Sequence, residues 1–129
     1  MAMAVQTAVR SVDRVIEAVL AIYAGHQERA VTTYLGEVCD RRLLAELADV
    51  PCAVAGTQRI VEIVIDGEPD CDMLTRAVWT LAARGWHVVT LVPLERLGEA
   101  HGALRGSPCL LQPWWLDGDT VRFGRTETP

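Results

Sequence analysis

The sequence has no lysine and no asparagine, a single phenylalanine, and two serines, Ser11 and Ser107. Each shortage closes off chemistry. Without lysine there is no Schiff-base lysine, no P-loop lysine and no lysine general base. No G-x-S-x-G elbow occurs, so a serine-hydrolase nucleophile has no place. No G-x-G-x-x-G loop is present for a dinucleotide. No C-x-x-C pair is present either, and Cys39, Cys52, Cys71 and Cys109 lie too far apart for a zinc knuckle. They read as small buried apolar groups in a reducing compartment.

Basic charge is also short. The 12 basic side chains, all arginine, face 17 acids, for a net charge of −5. The deficit is even: 5 Arg against 7 acids in residues 1–58, and 7 against 10 in residues 59–129. A nucleic-acid binder carries a basic footprint, so nucleic acid is not the expected partner. No apolar run approaches the roughly 20 residues of a membrane span. Arg10, Asp13 and Arg14 interrupt any signal-peptide core. The expected location is the cytoplasm, with no membrane partner.

What is present points to a single domain over residues 1–129, half of them apolar. Residues 5–24 recur at i, i+3, i+4 through Val5, Ala8, Val9, Val12, Val15, Ile16, Val19 and Tyr23, an amphipathic helix with Gly25 as its stop. Residues 28–49 predict two short helices or one kinked helix, ended by Pro51. Pro51–Thr57 reads as turn. Residues 59–65 are β-branched and predict a strand. Asp70 caps a helix running to Arg84, with core stripe Leu74, Ala77, Val78 and Leu81 and with Gly85 closing it. Residues 86–92 predict a second strand and 94–105 a helix. In that helix Gly98 and Gly102, with Gly106 after them, recur every four residues as if for close packing. Residues 109–116 and 120–124 form a hairpin around Asp117-Gly118-Asp119, and residues 125–129 a frayed tail.

The expected fold class is therefore α/β: a small three- to four-stranded mixed sheet, β-α-β-α-β-β, preceded by two or three N-terminal helices. Residues 1–50 form the helical part and 51–124 the α/β part. Strand–helix alternation implies parallel pairing with right-handed crossovers.

Three places attract functional interest. The loop after the first strand carries Asp66, Glu68, Asp70 and Asp72 with no base among them. Ligands of open α/β sheets bind beyond the strands' carboxyl ends, and clustered carboxylates suit Mg²⁺ or Ca²⁺. Asp70 and Asp72 also fit a helix cap and first turn. Glu62 alternates with Ile60 and Val64 on one strand face. If that face is covered, its carboxylate needs a partner such as Arg76, Arg84 or Arg105; if not, it faces solvent. Trp114 and Trp115 are adjacent in a strand and point to opposite faces, so one can enter the core and the other is covered by the N-terminal helices, another chain or a ligand, or lies exposed. Trp79 falls well off the core stripe of its helix. These indoles suit a partner surface or a stacked ligand. His26, His87 and His101 form no motif.

The resulting expectation is a non-catalytic binding or regulatory module that self-associates as a homodimer or meets another protein partner, with a small ligand as a further partner. Its candidate binding residues are Trp79, Trp114, Trp115 and Glu62. One alternative is a metal-dependent phosphoryl-transfer or nuclease-type enzyme built on loop 66–72. The other is a winged-helix-like DNA binder, with a hairpin from Cys52 to Ile65 as its wing and Arg41 and Arg42 on the reading helix.

Overall fold

The centre of the protein is a run of β-branched residues, Ile60–Val64, that pairs on both sides. The computed structural model describes residues 11–28, 30–32, 53–56, 58–67 and 70–129. Its elements are α1 (Ser11–Gly25), β1 (Ala30–Thr32), β2 (Ala53–Gly56), β3 (Ile60–Val64), α2 (Cys71–Ala83), β4 (His87–Pro93), a 3₁₀ turn (Leu94–Arg96), α3 (Leu97–Ala103), β5 (Cys109–Asp117) and β6 (Thr120–Phe123). The six strands form one sheet in sequential order. β3, β4 and β5 are parallel, and the pairs β1–β2, β2–β3 and β5–β6 are antiparallel.

This is the mixed α/β architecture expected, with a larger sheet. Two strands were missed. Ala30–Thr32 lies where a helix was expected, and Ala53–Gly56 lies where a turn was expected. Both are short: β2, with Ala53, Val54 and Ala55 buried, is held by pairing with β3, and β1 by pairing with β2, so pairing outweighs weak local propensity. β1, which lies before residue 51, joins the same sheet as the later strands. Residues 5–10, 33–52 and Glu68 lie outside the described residues, and with them the remaining predicted helices, Cys39, Cys52, Arg41 and Arg42. The hairpin intended as a wing exists as β2–β3, but β3 pairs with β4 on its other side and sits inside the sheet.

Sequential order fixes which face each helix covers. β3–α2–β4 and β4–α3–β5 advance in the same direction, so two right-handed crossovers place α2 and α3 on one face. Leu74, Ala77, Val78 and Leu81 of α2 and Ala100 of α3 close over Val61, Ile63, Val88 and Leu111 there. α1 takes the other face, where Val12, Val15, Ile16, Val19 and Tyr23 meet Val54, Val64, Leu91 and Trp114. The alternation of β3 therefore feeds two cores, with Val61 and Ile63 on one side and Val64 on the other.

Local chemistry sets the ends of α2. Asp70 Oδ1 accepts the Met73 N–H at 3.1 Å, the N-cap bond expected. At the other end Gly85 has φ 87°. Trp86 N–H donates to Leu81 O and Gly85 N–H to Ala82 O, a Schellman closure. Arg59 then reaches this terminus, donating to Arg84 O at 2.6 Å with its guanidinium over the Trp86 ring. A cation there meets the negative end of the helix dipole.

Three expectations are corrected. After α1 the left-handed residue is Gln27, at φ 55°, rather than Gly25. A Cβ on Gly98 or Gly102 would meet nothing within 4 Å, so these glycines do not serve close packing. The C-terminal segment is tied down as well. Leu111 and Glu127 exchange both backbone hydrogen bonds, and the Glu127 carboxylate meets His101 Nε2 at 3.1 Å. From the Trp114–Phe123 pair to the Leu111–Glu127 pair, three steps along β5 oppose four along the returning chain, the signature of a β-bulge.

Candidate ligand cavity between the first helix and the sheet

α1 crosses its sheet face obliquely. Its first turns pack near the β5–β6 hairpin, where Arg14 donates to Asp119 O at 3.1 Å. Its last turns reach β2 and β3, and a cavity of about 240 Å³ lies beside them. Val19, Ile22, Tyr23, His26 and Glu28 line it from the helix side, and Ile60, Glu62, Leu91, Gln112 and Phe123 from the sheet.

Glu62 is the chemical centre of this cavity. It shares its strand face with Ile60 and Val64, as the alternation requires, and that face belongs to α1. Its partner is none of the arginines considered from sequence: the Tyr23 hydroxyl donates to Glu62 Oε2 at 2.7 Å. The expectation that Glu62 faces solvent is also revised, since the side chain is partly buried under α1. Burial is the main force on its titration and raises the carboxyl above its ordinary range. The Tyr23 hydrogen bond pulls the other way, and the charge of Glu28 adds to the rise. Tyr23 is pushed far above the ordinary phenol range by its own burial, then by Glu62 as bond partner and as charge.

Gly56 makes this contact possible. A Cβ there would stand 2.5 Å from Tyr23 Cε1 and 2.7 Å from Glu28 Oε1. The bare backbone of β2 is the floor on which the Tyr23 ring lies. Glu28 Oε1 accepts the Gln58 N–H at 3.3 Å and holds the neighbouring turn. At the far side of the cavity Gln112 Nε2 donates to Gly124 O at 3.0 Å, which leaves the amide oxygen as an acceptor.

The other sequence candidates do not converge here as a set. Trp114 is buried under α1 and donates its indole N–H to Ile65 O at 3.2 Å, so the chain itself covers it. Trp115 and Trp79 are exposed, at 37% and 53%. Asp66 follows β3, Asp70 is the cap of α2 and Asp72 lies in its first turn. Among the described residues no three of His, Cys, Asp and Glu stand together as metal ligands. Cys71 is exposed, unlike the buried thiol expected, and Cys109 is buried. Burial pushes the Cys109 thiol up, and the buried Thr90 hydroxyl beside it pulls the other way. No described helix is long and apolar enough to cross a membrane.

Sequence reasoning found Glu62 but missed Tyr23, His26, Glu28, Gln112 and Phe123 as its company. A carboxylate between two β-branched residues was a usable signal. No feature of the sequence said which helix would cover it. No protein-family model matches the chain, and neither a curated protein nor a solved structure does.

Proposed function

We propose that this protein is a binding module whose small-molecule ligand occupies the cavity between α1 and the sheet. The observation that carries this reading is the Tyr23–Glu62 pair set into a hollow with largely apolar walls. Binding sites for small molecules combine apolar walls with a few convergent polar groups, and often contain a titratable group shifted from its ordinary range. Val19, Ile22, Ile60, Leu91 and Phe123 supply the walls. Tyr23, Glu62 and Gln112 supply the polar points. The regulatory part of the proposal is that α1, one wall of the cavity, responds to occupancy. The self-association part rests on the exposed Trp79 and Trp115, together with Leu116 beside the latter.

A fragment screen of single-ring compounds read by amide NMR shifts tests the cavity. Shifts confined to residues 19–28, 60–62, 91, 112 and 123 are expected. A screen in which no fragment moves these amides removes the reading.

A further inference from the structure

We infer that the cavity selects an organic amine: a protonated amino group seated against Glu62 and Tyr23, carrying one ring that extends over Leu91 toward Phe123. This rests on the reading of the cavity as a ligand site and adds the chemical class.

The charge inventory points one way. Two carboxylates, Glu28 and Glu62, and a phenol line the hollow. Of the described lining residues only His26 can carry positive charge, none is arginine, and the chain has no lysine. Glu62 Oε2 accepts a hydrogen bond from Tyr23, and no cation among the described residues pairs with this carboxylate. A partly buried carboxylate without a cation is a costly arrangement that an ammonium group relieves. The Tyr23 oxygen, having given its proton toward Glu62, keeps lone pairs for a second N–H. The faces of Tyr23 and Phe123 add the ring attraction that cations and aromatic ligands both find.

Size and register set the rest. The cavity, at about 240 Å³, exceeds the roughly 150 Å³ that suffices for benzene in an engineered apolar cavity, so one ring with a short arm fits. Glu62 pairs in register with Val89, and Leu91 with Gln112, so Glu62 and Gln112 stand two strands apart. That spacing is about 9–10 Å across the sheet. The ligand is therefore polar at the β3 end and apolar across β4. The groups facing Glu62 are Tyr23 from α1 and His26 and Glu28 from the segment after it. When an ammonium binds to the protonated form of Glu62, the carboxyl proton leaves to solvent and the ion pair takes its place.

Three near-isosteres test the class: 2-phenylethylamine, 2-phenylethanol and 3-phenylpropionate, titrated by calorimetry and amide NMR into the full chain at pH 7. The amine is expected to bind at least tenfold more tightly than the alcohol, and the propionate more weakly than either. Glu62→Gln is expected to cost the amine at least tenfold and the alcohol much less. Should that variant fail to fold, the wild-type protein still decides. Alcohol or propionate binding in the cavity as tightly as the amine overturns the amine class and leaves the cavity a ligand site. Absence of amine binding overturns it too, whereas the ligand site itself falls only if the broader fragment screen is also silent.

Discussion

Tyr23 and Glu62 lie 39 positions apart and meet through one hydrogen bond of 2.7 Å, donated by the phenol to the carboxylate. The bond joins the last turn of α1 to the middle of the sheet. It is the polar contact that anchors the helix end beside the cavity.

The titration of Glu62 gives that contact a pH signature. Its folded carboxyl holds a proton to higher pH than the ordinary value of 4.5. The folded state thus binds more protons than the unfolded chain above that value, and stability falls as pH rises through the raised pKa. Glu62→Gln is expected to flatten the fall in stability that begins above pH 4.5. Tyr23→Phe is expected to cost about 1 kcal/mol near pH 5 and more at pH 8, where a larger share of the carboxyl is ionised. Urea denaturation of the three proteins at both pH values checks this; parallel curves for wild type and Glu62→Gln would contradict it.

Gly56 is the most sensitive glycine near the cavity. Gly56→Ala drives a methyl group into the Tyr23 ring and the Glu28 carboxylate, an overpacking cost of about 1–3 kcal/mol. Gly25→Ala is the control, since its Cβ meets nothing within 4 Å and its φ is not positive. That change is expected to be neutral or to stabilise by up to about 1 kcal/mol. Thermal melts of the pair measure the contrast, and equal melting temperatures would refute it.

The two ends of α2 give separable losses. Asp70→Ala removes the N-cap bond and costs about 1 kcal/mol. Gly85→Ala puts a side chain at φ 87° and costs roughly 1–2 kcal/mol. The residues are at opposite ends of the helix, so the double variant is expected to lose the sum. Chemical denaturation of the single and double variants tests additivity.

The tryptophans divide into two classes by exposure. Iodide is expected to quench Trp79 and Trp115 and to spare Trp86 and Trp114, which are buried. Trp114→Phe leaves the Ile65 carbonyl without its donor and is expected to cost about 2 kcal/mol. Trp79→Ala and Trp115→Ala are expected to cost little stability and to weaken self-association. Light scattering at tens of micromolar reads this; a monomeric wild-type protein would remove self-association altogether.

Much of the fold was legible because it is local. The β3–α2–β4–α3–β5–β6 run is written in short-range signals: β-branched strands, the Asp70 cap, the Gly85 stop and the Asp117–Asp119 turn. β1 and β2 were not legible. Three or four small residues carry little periodicity, and their stability comes from a partner strand. Trp114 illustrates a partial reading. Alternation said that one indole of the pair enters a core, and the structure shows that α1 covers it. Glu62 was legible as an oddity and not as half of a pair, since Tyr23 looked like one more apolar position on a helix stripe. Nothing in the order of residues encodes a contact made across 39 positions by the fold.

The path of α1 also bears on the order in which the molecule can be assembled. Each strand from β3 to β6 docks on the one just made, so that part of the sheet grows as the chain leaves the ribosome. α1 emerges first, yet it packs on Trp114 and ties to Asp119, a residue 105 positions downstream of Arg14. Long-range closure of this kind comes late. The first helix can meet Val54, Val64 and Leu91 earlier, but its stripe is fully covered only when the last hairpin docks. The cavity, which takes Phe123 from β6 as part of its wall, is consequently complete only once that hairpin is in place.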